Sequence, residues 1–138
     1  MAEFTNISEQ TVTSGSNVLF SATPVCSGKC IVHRTGSGLV TLRGLTNQAN
    51  ARFLIMFGGN IAAVTTASAI SLGITINGEV VGSSSMISTP SAINEYNNVS
   101  SSIYVTVPQG CCVTIGVENS SSQSILVENA NLIVTRVA

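Results

Sequence analysis

The sequence predicts an all-β domain, an antiparallel sandwich of about eight to ten strands. Apolar residues alternate with polar ones, or run continuously, in short segments separated by clusters of Gly, Ser, Asn and Pro. One segment, 71–82, carries Asn77-Gly78 between alternating stretches, and Asn-Gly is a common centre of a tight hairpin turn. Only 62–69 allows a turn of helix, with a flexible loop as the alternative.

The first strand is expected at 17–20, after Ser14-Gly15-Ser16. The segment 1–16 is then an arm outside a jelly-roll or sandwich domain that spans 17–138. The last strand, 132–137, is apolar and is expected to lie inside a sheet, because an apolar strand is rarely left free. The other strands are expected at 30–34 paired with 39–43, at 51–57 ended by Gly58-Gly59-Asn60, at 98–107 paired with 112–117 across Pro108-Gln109-Gly110, and at 125–127.

The composition favours a surface that partners cover. Charged residues make up only 8% of the 138 residues, the formal net charge is −1, and aspartate and tryptophan are absent. An ordinary soluble domain is about a quarter charged, so charge repulsion is too weak here to keep copies apart. We expect no nucleic-acid partner without a Lys/Arg cluster and no membrane partner without a long apolar run. With no secretory signal in 1–6, we expect synthesis and assembly in a cytoplasm.

The segment 51–57 is apolar on both faces, which indicates burial on both sides. One face of a sandwich strand covers the core, so the other needs a partner, and assembly about a threefold axis would supply it. Arginines near strand ends suit contacts with carboxylates or carbonyls of another subunit. The candidate trimer-interface residues are Phe53, Ile55, Phe57, Arg43, Arg52 and Arg136.

Four cysteines and one histidine could carry chemistry. Cys26, Cys30 and His33 have the residue types of a zinc site that Cys111 or Cys112 could complete, although the spacing is poorer than Cys-x2-Cys. The alternatives are a disulfide, within 26–30 or across the fold, and reduced structural thiols. A Cys–His nucleophile would lack an aspartate to orient the imidazole. We therefore expect no enzyme, no cofactor and a packed or interface histidine.

The order of motifs after residue 50 resembles a known family. The strand 52–57 is followed by Ile74-Thr75-Ile76-Asn77-Gly78, by Pro108-Gln109-Gly110 and by an apolar last strand. This order resembles the C1q/TNF-like jelly-roll domains of bacterial and phage surface proteins, although no Gly-X-Y stalk is present. With its His33-Arg34-x-Gly-Ser-Gly motif, the chain also looks similar to small head-decoration or head-fibre proteins of tailed phages.

The resemblance implies a trimer-forming jelly roll with a structural role. We expect a homotrimer on the outside of a phage head, bound to the major capsid protein and made in the bacterial host cytoplasm, with 1–16 as the anchor. The alternative is an adhesin or receptor tip that binds a host-surface glycan. Tyr96 and Tyr104 would then supply the stacking rings.

Overall fold

The computed structural model describes residues 2–25 and 29–138. The described residues form twelve strands and one short 3-10 turn, Gly82–Ser84. The strands are β1 Ala2–Asn6, β2 Gln10–Val12, β3 Ala22–Val25, β4 Ile31–His33, β5 Val40–Arg43, β6 Asn50–Ala63, β7 Ile70–Ile76, β8 Glu79–Val80, β9 Met86–Ser88, β10 Asn97–Pro108, β11 Cys112–Asn119 and β12 Ile125–Arg136.

The strands form two antiparallel sheets. Sheet I has the order β10-β6-β12-β1-β3 with β2 also beside β12, and sheet II has the order β4-β5-β11-β7-β8 with β9 also beside β7. One continuous apolar core joins the strands of both sheets. Its largest fully buried side chains include Phe20, Phe53, Leu42, Ile55, Ile115 and Leu132. The prediction of an all-β antiparallel sandwich is confirmed.

Two local predictions are also confirmed. Asn77 and Gly78 have φ of 52° and 89°, the positive values that a tight turn between β7 and β8 requires. The last strand, β12, lies between β6 and β1 and hydrogen-bonds to both.

The predicted N-terminal arm is part of the sandwich. Strand β1 pairs with β12 and β3, and Ala2, Phe4 and Val12 are buried in the core. The alternation of Ala2 and Phe4 with polar residues is that of a half-buried strand. The boundary at residue 16 is therefore wrong for the described residues. The strand expected at 17–20 is replaced by a crossing segment whose only bridge joins Asn17 to Glu118.

Strands β10 and β11 do not form the predicted hairpin. β10 pairs with β6 in sheet I, whereas β11 pairs with β5 and β7 in sheet II. The turn at Pro108-Gln109-Gly110 therefore carries the chain from one sheet to the other. Strand β6 also continues through Gly58-Gly59-Asn60 to Ala63, because Gly59 and Ala63 stay in register with β10 and β12.

Candidate functional site

The outward face of sheet I is uncharged over its centre. Leu54 lies between Tyr104 and Thr135 on the neighbouring strands, and Met56 lies between Ser102 and Ile133. These residues and the next row form what we call the sheet I patch: Leu54, Met56, Gly58, Ser100, Ser102, Tyr104, Ile133 and Thr135. Tyr104 is 70% exposed and Met56 is 37% exposed. Apolar groups left exposed on β6 and on its neighbour β10, the edge strand of sheet I, indicate a surface that a partner covers.

Gly58 leaves the middle of the patch open. A Cβ built on Gly58 would have no heavy atom within 4 Å. The backbone of β6 is therefore accessible at this point, and a partner surface could approach it closely.

Charged side chains surround the patch rather than enter it. Arg52 lies on β6 in the row beyond Leu54, and Glu3 lies opposite Ile133 on β1. Glu128 lies on β12 at the opposite margin of the patch, beyond the row of Gly58. An apolar centre with a polar or charged rim is the usual anatomy of a protein–protein interface.

The interface residues predicted on β6 lie on the face of the strand opposite the sheet I patch. Phe53, Ile55 and Phe57 are 0%, 0% and 2% exposed and pack in the core between the sheets. They cannot contact another subunit, so this prediction is wrong. Both faces of β6 are apolar, and the bulkier face, with two phenylalanines, fills the core. The Leu54–Met56 face is left outside.

Sequence reasoning missed the patch, although strand β10 contains a signal for it. In 97–108 the buried Val99 and Val105 alternate with the exposed Ser100, Ser102 and Tyr104. A strand with one apolar face and one face of small, uncharged side chains indicates a surface that close packing can cover. The pairing of β10 with β6 then places these residues beside Leu54 and Met56.

The three predicted arginines occupy different places. Arg43 is exposed on sheet II, and Arg52 borders the sheet I patch. Arg136 is half-buried and donates from Nη1 to the carbonyl of Leu45 at 3.0 Å and from Nε to that of Ala138 at 3.1 Å. Because Arg136 is held by its own chain, Arg52 is the best placed of the three for contact across the patch.

The cysteines do not form a metal site among the described residues. Cys30, Cys111 and Cys112 form no disulfide with one another, and Cys26 lies outside the described residues. Cys30 is half-buried with its Sγ 3.8 Å from Arg136 Nη1, whereas Cys111 and Cys112 are exposed. Within 2–25 and 29–138, no three His, Cys or Glu side chains converge as metal ligands would. A site or a disulfide that includes Cys26 stays a hypothesis.

His33 is packed between the two sheets. Its ring lies 4.6 Å from that of Phe4 and 6.4 Å from that of Phe20, measured between centroids. Nε2 donates to the carbonyl of Ser37 at 2.8 Å, and buried Nδ1 has no hydrogen-bond partner among the described residues. The imidazole joins β4 to β1 by packing against Phe4, which agrees with the expectation of a packed or interface histidine.

Tyr96 links two loops and lies close to two carboxylates. Its hydroxyl donates to the Glu9 carboxylate, and Glu128 is close enough to contribute electrostatically. Burial raises the pKa of Tyr96 above its usual value, and the hydrogen bond to Glu9 and the charges of both glutamates raise it further. The un-ionised phenol therefore stabilises the folded chain at neutral pH.

This arrangement predicts a loss of stability at alkaline pH. A phenol in the unfolded chain ionises near pH 10, but folded Tyr96 keeps its proton to a higher pH, so the stabilisation is complete below about pH 10 and is lost above it. We expect the Tyr96→Phe variant to show a flatter fall of Tm between about pH 9 and 11 than the wild type. Tyr104→Phe is the matched control and should keep the wild-type slope. Equal slopes for all three proteins would contradict this assignment.

Two open clefts lie on either side of Arg52. One has a volume of about 540 Å³ and is lined by Arg52, Tyr104, Thr106, Val137 and Ala138. The other has a volume of about 340 Å³ and adds the side chains of 48–50. A guanidinium, a phenol and side-chain amides at one margin of the patch can hydrogen-bond a ligand rich in oxygen atoms.

Comparison with solved structures identifies the fold. The chain superposes on the globular domain of zebrafish complement 1qA with a TM-score of 0.60 at 10% identity, covering 96% of this chain and 94% of that one. For Eiger TNF from S. frugiperda the TM-score is 0.67 at 12% identity, with 99% and 91% covered. For murine APRIL at pH 8.5 it is 0.59 at 10% identity, with 97% and 98% covered. No protein-family model matches the chain, and no curated protein matches it by sequence.

The chain has a C1q/TNF-like jelly-roll fold. This fold and the sheet I patch fit a binding or structural module. No helix among the described residues is both long and apolar enough to cross a membrane.

Proposed function

We propose that this chain is a structural module that assembles as a homotrimer through the sheet I patch. The observation that carries the proposal is the uncharged centre of the outward sheet I face, where Leu54, Met56 and Ile133 meet. Three such faces around one axis bury these side chains and leave Arg52 and Glu3 at the rim. The structural likeness to C1q and TNF domains supports the same arrangement.

The biological role that we propose for this trimer is decoration of a tailed-phage head. The trimer would bind the major capsid protein as a decoration or head-fibre component, after synthesis in the bacterial host cytoplasm. A charge-poor surface supports a role in assembly, and three linked copies bind a lattice more tightly than one. Because β1 and β2 belong to sheet I, the contact with the capsid is assigned to an exposed loop or end rather than to 1–16.

Native mass spectrometry of matched glycine variants tests the trimer. Gly58→Arg introduces a charge at the centre of the patch, and the space around Gly58 lets the single chain fold normally. Gly82→Arg is the control, because a Cβ on Gly82 would also have no heavy atom within 4 Å, and Gly82 follows strand β8 of sheet II and is not a patch residue. We expect trimers for the wild type and Gly82→Arg, and folded monomers for Gly58→Arg.

A wild-type monomer at micromolar concentration would contradict the trimer, as would a Gly58→Arg variant that remains trimeric. Binding of the wild-type trimer to phage heads stripped of decoration then tests the capsid role. Absence of binding would overturn that role and leave the trimer standing.

One observation favours glycan binding as the second candidate function. Tyr104 is 70% exposed beside the cleft that Arg52 and Thr106 line, and an exposed ring beside polar groups can stack on a sugar. Tyr96 is less suited because its hydroxyl is engaged by Glu9. Glycan-array binding that is lost in Tyr104→Ala but kept in Tyr96→Phe would favour this candidate. No binding by the wild type would exclude it for the glycans on the array.

A further inference from the structure

The fold gathers most of the cations at one end of the sandwich. This end is where β6 and β11 begin and where β5, β10 and β12 finish. We call the following set the cationic end: Lys29, Arg43, Arg52 and Arg136. They are four of the five Lys and Arg residues of the chain. The sequence shows no Lys/Arg cluster, because these residues are spread from position 29 to position 136.

Backbone and side-chain contacts connect the members of the cationic end. The Arg43 amide donates to the carbonyl of Cys30, the neighbour of Lys29. Arg136 reaches the carbonyl of Leu45, two residues beyond Arg43. The Arg52 amide donates to the carbonyl of Ala138, which also accepts from Arg136 Nε. The four cations therefore lie at the same end of the sandwich, with Arg43 on the outward side of sheet II and Arg52 on that of sheet I.

Most of the glutamates lie at the opposite end. We call this set the acidic end: Glu9, Glu95, Glu118 and Glu128. Glu9 and Glu128 lie close to Tyr96, and Glu95 is its neighbour in the chain. Glu118 is near the end of β11, where it forms a bridge with Asn17. These are four of the six acidic residues. Glu3 and Glu79 lie outside the set, on β1 and β8.

The two ends are too far apart to neutralise one another. Along β6, Arg52 and Asn60, the residue opposite Glu128, are eight positions apart, which at roughly 3.3 Å per residue is about 26 Å. Charges separated by more than about 8 Å are largely screened at physiological ionic strength. Each end therefore presents its own potential to its surroundings, although the formal net charge of the whole chain is only −1.

We propose that the cationic end of one molecule binds the acidic end of a second copy, so that copies join head to tail. A second copy of this chain is the expected partner, because each chain carries both the cationic end and the acidic end, with four charges in each set. A head-to-tail contact uses two different surfaces and leaves one of each free, and because these surfaces lie at opposite ends of the molecule, we expect it to extend into a filament rather than a closed ring. The inference builds on the proposed trimer, since three chains around one axis place three copies of each set at the two poles.

Sedimentation velocity at two salt concentrations tests this contact. In about 10 mM salt the Debye length is about 30 Å, and in about 1 M salt it is about 3 Å. We expect the wild type to form species larger than the trimer at low salt and to return to trimers at high salt. Lys29→Glu with Arg43→Glu, which leaves Arg52 at the rim of the sheet I patch unchanged, should raise the apparent Kd of this association by about tenfold or more. Arg34→Glu is the control for a single charge reversal away from the cationic end, and it should associate like the wild type.

A charge-swapped partner makes the test independent of folding defects. Glu95→Arg with Glu118→Arg should also fail to associate alone, because the two reversals cancel the negative charge of its acidic end. Mixed with the Lys29→Glu, Arg43→Glu variant, it should associate again, because its intact cationic end can bind the intact acidic end of that variant. No recovery in the mixture, or a wild type without larger species at low salt, would overturn the proposal. A wild type that is monomeric at high salt would contradict the trimer instead. In that case, oligomers built from single chains at low salt would still indicate the end-to-end contact.

Discussion

Replacing Phe53 with alanine is expected to lower the free energy of unfolding by about 3–5 kcal/mol, because the change empties a large volume in the core. Phe53 is 0% exposed and lies on the β6 face that packs between the sheets. Met56→Ala, on the opposite face of the same strand, should cost the isolated chain less than about 1 kcal/mol. Urea unfolding of both variants, at protein concentrations where the chain is monomeric, measures the difference.

The Phe53→Ala and Met56→Ala variants also distinguish an effect on folding from an effect on assembly. Met56→Ala should weaken the trimer while the monomer stays folded, because Met56 is 37% exposed in the single chain. Similar losses of monomer stability in the two variants would contradict the assignment of the two β6 faces.

Replacing Asn119 with alanine is expected to destabilise the fold by about 2–4 kcal/mol, because it leaves several buried polar groups without partners. Asn119 is 0% exposed, and its Nδ2 donates to the carbonyls of Val12 at 2.9 Å and Gln123 at 2.8 Å. Its Oδ1 accepts from the amide and the hydroxyl of Ser121. One side chain thus connects β11 of sheet II to β2 of sheet I. Thermal unfolding by circular dichroism measures the effect.

Two further variants test whether the lost hydrogen bonds of Asn119 cause this destabilisation. Asn119→Asp keeps the size of the side chain but turns the two donated hydrogen bonds into contacts between oxygen atoms, so it should be at least as damaging as alanine. Asn50→Ala, at the exposed start of β6, should change Tm little. A stable Asn119→Asp variant would show that solvent, and not Asn119, satisfies these carbonyls.

Alternation along single strands predicted a large part of the fold. The 71–82 hairpin, the 30–43 hairpin and the enclosure of the last strand each depend on local pattern and turn chemistry, and the structure has all three. Alternation could not predict which face of β6 fills the core. A period of two shows which residues share a face, but when both faces are apolar it does not show which face is buried.

The other errors have a similar origin. The turn at 108–110 is local, whereas the pairing of its flanking strands is decided far away along the chain, by β6 for one strand and by β5 and β7 for the other. The cationic end illustrates the same limit, since Arg43 and Arg136 are brought together only by pairing and packing of distant segments. Short-range patterns therefore predict secondary-structure elements better than they predict the surfaces that distant elements form together.

The position of β12 has a consequence for the life of a newly made chain. Sheet I joins the first strand to the last, with Ala2 opposite Val134, and β12 separates β6 from β1. Such long-range pairing folds slowly, in roughly milliseconds to seconds. Until β12 has emerged from the ribosome, β6 lacks a neighbour and Ile133 is missing from the outward face. If copies assemble through the sheet I patch as proposed, unfinished chains cannot present that surface, and truncated products are kept out of the assembly.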